Sequence, residues 1–362
     1  MAFSFEAVQM TYRLILRFSK IIFLLIFIAP LLPHSTCHAD DQIQRMEKRY
    51  KDSGNHHRLA KSLAVMYYNK NLYGKCSDVL DFHLENLDSK ELYLLSLCFH
   101  KQNKFDDQIR VLDLALKKEP KNRHYLKYLA DAQFRLKKYD DAVQTYRMLL
   151  QVFPKSQQAY VGLINIFRES QNAYELREIL KQAVKTLGPK KQFINELCHV
   201  YYEQAYFEPA LKTCTIATQK DYQNPDNHVF LGLSLLENEK PVEGLEKLKF
   251  AAARFKNSAF AQYSLGFQFL KEKNFSSAFK YLEKARDLDP KKAAHQLQFA
   301  NVNFELKKYQ SALDSFEKAC ELDRNTANDF LSAASRLRSD RNYDWIKIYD
   351  TKSKHCRFKS LM

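Results

Sequence analysis

Glycine and proline are scarce in this chain, 7 and 9 of 362 residues. So few breakers leave little room for the turns that an all-β sandwich or a doubly wound sheet needs, so a helical protein with short connections is expected. The same scarcity removes the material of many catalytic loops. There is no phosphate-binding glycine loop, no HExxH helix, no GxSxG elbow and no paired CxxC. Histidine and cysteine are neighbours at Cys198 and His199, at His355 and Cys356, and at Cys98 with His100, yet none of these has a second ligand pair at metal-binding spacing. Isolated carboxylates such as Asp131 and Glu203 read as specificity charges. No catalytic residue, metal or cofactor is expected.

What is present begins with a distinct first segment. Residues 1–39 combine a basic entry (Arg13, Arg17, Lys20), the apolar run Ile21 to Leu32, and small residues at Cys37 and Ala39 before Asp40. The run is short for a membrane span, and the pattern is that of a secretory signal peptide. An uncleaved anchor is the alternative, and would be the chain's one contact with a membrane; Met10 is an alternative start. Export, to the periplasm or cell envelope if the host is bacterial, is therefore expected.

The net charge is +15, with 57 basic and 42 acidic residues. Loss of residues 1–39 removes three basic residues and Glu6, so the mature chain stays strongly basic. In the cytosol such an excess would suggest nucleic acid; after export the expected counterpart is an anionic envelope component, an acidic protein or an acidic polysaccharide, and nucleic acid is not expected. Basic surface charge that merely keeps the protein soluble explains much of the same excess.

The strongest signal is a period of 34 residues. One column reads Leu63, Leu95, Leu129, Leu163, Leu197, Leu231, Leu265 and Phe299, with every step 34 except the first, which is 32. A second reads His83, Ala115, Leu149, Ala183, Ala217, Ala251, Ala285 and Ala319. Between them lies a mostly aromatic column: Tyr73, Phe105, Tyr139, Ala173, Phe207, Pro241, Phe275 and Tyr309. Within a unit the apolar positions recur at helical spacing, as at Leu126, Leu129 and Ala130, then Ala142, Tyr146 and Leu149. Each unit is thus two amphipathic helices with a face that only a neighbouring unit can cover. Pro120, Pro154 and Pro290 stand at unit ends, where they stop a helix.

These columns resemble the tetratricopeptide repeat, over about residues 57–326. The resemblance implies an all-α, right-handed α-solenoid of eight helix-turn-helix repeats starting near His57, Ser89, Arg123, Gln157, Lys191, Pro225, Ala259 and Ala293. Residues 40–56 form a lead-in and 327–362 a C-terminal capping segment, whose Trp345 is expected to seal the end of the stack. The fourth repeat (Ala173, Leu176) and the sixth (Pro241, Gly244) depart from the pattern and are candidates for local bends.

The family's binding face is a groove lined by positions 2, 5, 9 and 12 of each first helix. Here the resemblance assigns Arg58, Lys61, Tyr68, Lys90, Tyr93, His100, His124, Lys127 and Phe134 to one end. Val229, Leu233, Leu236, Phe260, Tyr263, Phe267, Leu270, Leu297 and Phe304 fall at the other. A protein or peptide partner with an acidic and an apolar segment would suit a groove basic and aromatic at one end and apolar at the other. The alternative for the apolar half is packing against neighbouring repeats, the cap or a second copy. The family's peptide-carboxylate clamp is incomplete: Lys61 is present, but Val65 stands where asparagine is required.

Six cysteines remain after residue 39. In an antiparallel helix pair, residues equally far from the turn face each other. This pairs Cys198 with Cys214 inside repeat five and Cys76 with Cys98 across the first repeat junction, and leaves Cys320 with Cys356 to staple the cap. Free, buried cysteines are the alternative. The function expected is a non-catalytic binding scaffold, or else a non-catalytic subunit of an envelope enzyme or export machine.

Overall fold

The structure is a computed structural model that describes residues 36–339 and 342–358. Residues 1–39, where a signal peptide is expected, lie outside the described residues apart from the backbone of 36–39. Among the described residues the chain is all α. After α1 (Thr36–Asp52) come eight helix hairpins: α2 (His57–Asn69) with α3 (Tyr73–Asp81), α4 (Ser89–Lys101) with α5 (Phe105–Lys118), α6 (Arg123–Arg135) with α7 (Tyr139–Val152), and α8 (Gln157–Glu169) with α9 (Ala173–Leu187). They continue as α10 (Lys191–Glu203) with α11 (Phe207–Lys220), α12 (Pro225–Glu237) with α13 (Pro241–Arg254), α14 (Ala259–Lys271) with α15 (Phe275–Leu288), and α16 (Ala293–Glu305) with α17 (Tyr309–Leu322). The pair α18 (Ala327–Ser339) and α19 (Tyr343–Phe358) closes the chain. This is the solenoid class that the 34-residue columns imply.

Every hairpin turns in the same way. Three residues join the helices, and the middle one (Asn71, Asn103, Lys137, Gln171, Ala205, Glu239, Lys273, Lys307) has φ between 54 and 61°. The next residue donates its N–H to a carbonyl five residues back, as Lys138 does to Gln133 at 2.9 Å and Lys240 to Leu235 at 3.0 Å. This is the Schellman closure of a helix C-terminus, normally built on glycine because an L side chain strains the left-handed conformation. None of these eight turns uses glycine. The fourth and sixth turns, at Gln171 and Glu239, match the others, so neither departure from the pattern bends the turn. Pro241 occupies the first helical position, where a missing N–H costs nothing. Gly232 and Gly244 let α12 and α13 approach so closely that a Cβ on Gly244 would stand 2.8 Å from the Gly232 carbonyl oxygen.

The chain divides after Thr145 into two compact units. In the first, Leu63, Leu95 and Leu129 are buried with Leu80, Leu92, Phe99 and Leu112. The two-residue deficit of repeat one shortens α3 to nine residues, followed by a 3-10 turn at Leu84–Asn86. His83, which stands in the small-residue column, is buried there at 2.8 Å from the Tyr50 hydroxyl of α1. Cys76 and Cys98 are joined as a disulfide between α3 and α4, with Cα atoms 6.1 Å apart.

In the second unit Leu163, Leu197, Leu231, Leu265 and Phe299 are buried, and Ala183, Ala217, Ala251, Ala285 and Ala319 are fully so. Truncating a leucine of this kind to alanine typically costs about 2–5 kcal/mol. Disulfides join Cys198 to Cys214 inside repeat five (Cα–Cα 4.8 Å) and Cys320 of α17 to Cys356 of α19 (5.8 Å). The seal of the cap is not Trp345, which is only partly buried against Tyr309 and Tyr349. Tyr349, one helical turn further on, is fully buried; its hydroxyl donates a 2.7 Å hydrogen bond to the Tyr309 carbonyl, and its ring packs with Phe304, Phe316 and Phe330.

Candidate partner-binding faces

In the first unit the expected positions on α2, α4 and α6 have unequal roles. Arg58 and Lys90 are exposed and form no ion pair among the described residues. Lys61 is paired: its Nζ lies 3.3 Å from Glu91 and 3.5 Å from Asp88, and Glu91 is a nearly buried carboxylate that also faces His57 at 3.2 Å and closes the capping box of α4. Lys61 is therefore the counter-charge of a structural carboxylate, with less freedom to meet a ligand. Tyr68 packs edge-on to Tyr73, and Phe134 against Tyr139.

The centre of this face is Tyr93. Its ring contacts Tyr125, Tyr128 and His124 at centroid distances of 5.2, 5.6 and 6.3 Å. His100 extends the group, 5.6 Å from Tyr128, and the Nζ of Lys127 stands 4.9 Å over the Tyr128 ring. Burial raises the phenol pKa of Tyr93, and the neighbouring Tyr128 hydroxyl adds to the shift. The result is a partly buried aromatic patch edged by cations, the composition of a binding hot spot. Tyr128 falls outside the 2, 5, 9, 12 template; its place beside Lys127 was the signal for it.

The apolar face of the second unit is less open than the columns suggest. Val229 is fully buried in a cluster with Leu248, Ala251, Ala261 and Leu265, and Phe304 nearly so against Tyr309 and Tyr349. Leu270 and Leu297 are half-buried. What remains open is a pocket of about 190 Å³ walled by Tyr202 of α10, Leu233 and Leu236 of α12, and Phe260, Tyr263 and Phe267 of α14, with Glu237 and Lys271 also lining it. Only first helices of three consecutive repeats contribute. Tyr263 and Phe267 stack with parallel rings 5.9 Å apart, and Lys271 lies over Phe267.

Three histidines of this unit, His199, His228 and His295, are structural. His228 is fully buried, with Nε2 2.8 Å from the Tyr222 carbonyl. Gln262 and Gln296 hold the same place in the next repeats and donate to the carbonyls of Ala252 and Pro290. His295 is buried beside the Asp289 carbonyl, and His199 stacks on Phe230 at 4.3 Å. Burial lowers the pKa of all three. Among the described residues no three His, Cys, Asp or Glu side chains are grouped to hold a metal ion, and no helix is long and apolar enough to cross a membrane.

Sequence profiles described as Tetratricopeptide repeat match residues 93–159 and 296–326. An N-terminal acetyltransferase A complex subunit-like protein of Schizosaccharomyces pombe is 23% identical over 137 residues, which is 38% of this chain and 20% of that relative. The match thus spans about a fifth of that protein's length. Among solved structures, a tetratricopeptide repeat protein of Parabacteroides merdae is 13% identical with a TM-score of 0.48, covering 65% of this chain and 93% of its own. The pilF protein of Pseudomonas aeruginosa is 19% identical at 0.44, covering 56% and 91%. YrrB, described as a TPR protein with an unusual peptide-binding site, is 17% identical at 0.43, covering 51% and 95%. The two profile matches lie inside a run of eight like hairpins, so the chain carries tetratricopeptide repeats.

Proposed function

We propose that this chain is a non-catalytic scaffold of the cell envelope that binds a segment of a partner protein on the exposed faces of its first helices. The observation that carries the reading is the patch of Tyr93, Tyr128, His100, His124 and Lys127, where aromatic rings and cations stand together without filling the core. Acidic side chains of a partner would meet Arg58, Lys90 and Lys127, while the rings supply buried area. The signal-like residues 1–39 support the envelope location.

A second reading, a non-catalytic subunit that positions an enzyme or part of an export machine, is favoured by the similarity to an acetyltransferase complex subunit-like protein. Recovery of the partner from solubilised envelope on the full chain, beside a folded Tyr93→Ala/Lys127→Ala variant, tests the first reading. Loss of a specific partner in the variant supports it; equal recovery by both moves the site elsewhere. A catalytic chain among the partners selects the second reading. Cell fractionation that finds the protein in the cytosol with its first residues intact removes the envelope from both.

A further inference from the structure

The following rests on the reading of the first helices as protein-binding faces and concerns the pocket of α10, α12 and α14. We propose that the pocket of α10, α12 and α14 is an anchor site for a peptide segment carrying one aromatic side chain, with a lysine or arginine one to four residues away that meets Glu237 and Glu203.

Size selects the anchor. A volume of about 190 Å³ is too small for most cofactors or drug-sized ligands, whose pockets run from about 300 Å³ upward. It is slightly larger than the roughly 150 Å³ apolar cavity that accepts benzene. One phenyl, phenol or indole group is the match. The walls agree, since Phe260, Tyr263 and Phe267 present ring faces and edges and Leu233 and Leu236 supply aliphatic surface. The hydroxyls of Tyr202 and Tyr263 form no hydrogen bond among the described residues, so they are left to meet peptide carbonyls or an anchor hydroxyl.

Charge selects the neighbour. The last residue of each first helix runs Asn69, Lys101 and Arg135 in repeats one to three, then Glu169, Glu203 and Glu237 in repeats four to six. Repeat seven returns to a cation at this position, Lys271, so the carboxylates stand toward α10 and α12 and the cation toward α14. Glu237 lines the pocket, and Glu203 holds the same position one repeat earlier. Neither forms an ion pair among the described residues, and burial raises the carboxyl pKa of Glu203, which a cation from outside would reverse. Packed helix axes lie about 8–10 Å apart and an extended peptide advances about 3.3 Å per residue, which sets the spacing of one to four residues from the anchor. Lys271 on the α14 side disfavours a cation there and so sets the direction of the segment.

The probe is a randomised twelve-residue peptide library displayed on phage and selected on the full chain, with an enriched sequence then synthesised and its affinity measured. Enrichment of Phe, Tyr or Trp with Lys or Arg within four residues is expected. Replacing the aromatic residue by alanine should weaken binding about tenfold or more, the scale of a buried anchor. A Glu203→Lys/Glu237→Lys variant, checked for native circular dichroism, should lose about tenfold and recover when the peptide's basic residues become glutamate. The Tyr93→Ala/Lys127→Ala variant should bind normally. Enriched peptides without the aromatic–basic pairing, or indifferent to the charge reversal, overturn the inference. Peptides that instead depend on Tyr93 and Lys127 overturn it while leaving the protein-binding reading intact. Failure to enrich any sequence counts against both.

Discussion

The ring of Tyr146 lies against the bare Cα of Gly162, so close that a Cβ there would come within 2.3 Å of it. Tyr146 is 2% exposed and has nowhere to move. In Gly162→Ala the gain in helix propensity, about 1 kcal/mol, opposes an overpacking cost of about 1–3 kcal/mol. The clash should win, lowering the urea midpoint. Gly74→Ala is the control: nothing lies within 4 Å of its Cβ position, and the change should stabilise by about 0.5–1 kcal/mol.

The eight left-handed turn residues predict stabilisation by glycine. At Lys137, Ala205 or Glu239, φ near 58° costs an L residue about 1–2 kcal/mol, more than the extra chain entropy that glycine loses on folding. Each substitution should raise stability by about 0.5–1 kcal/mol, and combined changes at distant turns should add. Asn103→Gly should gain less, because asparagine tolerates this region. Thermal denaturation of the single and triple variants measures both claims.

Acid should weaken the second unit through its buried histidines. Burial lowers the pKa of His228, and Lys247 pushes it the same way against the Tyr222 carbonyl. The folded state therefore holds the neutral ring, and its contribution is complete above the unfolded value of about 6.5 and is lost as pH falls below it. His199 and His295 act in the same sense. His228→Gln reproduces the side chain that repeats seven and eight use at this position and keeps a donor for the loop carbonyl. Its stability should fall less steeply between pH 7 and 5 than that of the parent, as followed by urea titration at each pH.

The disulfide between Cys198 and Cys214 closes a loop with a sequence separation of 16, for which chain entropy contributes about 3 kcal/mol. Replacing both residues by alanine should lower stability by about that amount and remove much of the reductant sensitivity of repeat five. Peptide mapping without reduction should recover the three pairs Cys76–Cys98, Cys198–Cys214 and Cys320–Cys356. Six free thiols from protein isolated from its own compartment would refute the pairing.

The repeat was legible because packing is local and periodic. Each first helix meets the same neighbours 34 residues away, so burial repeats at the same columns, and Leu63, Leu95 and Leu129 carry the pattern openly. The groove was less legible. A template of positions assigns a side chain to a face without saying what it touches, so the pairing of Lys61 with Glu91 and Asp88 came only from the structure. It also placed Val229 and Phe304 in the open when adjacent helices cover them, and passed over Tyr128. In the cap, Trp345 drew attention by its rarity, while burial fell to Tyr349 one turn away.

Sequence by itself determined the helical class, the eight hairpins and their joints, because helix periodicity, alanine contacts and proline stops act over a few residues and recur. Only the tertiary structure decided which apolar side chains on those helices stay open. That depends on how closely three consecutive first helices approach, and α10, α12 and α14 leave a space the size of one ring where simple spacing suggested a continuous apolar strip.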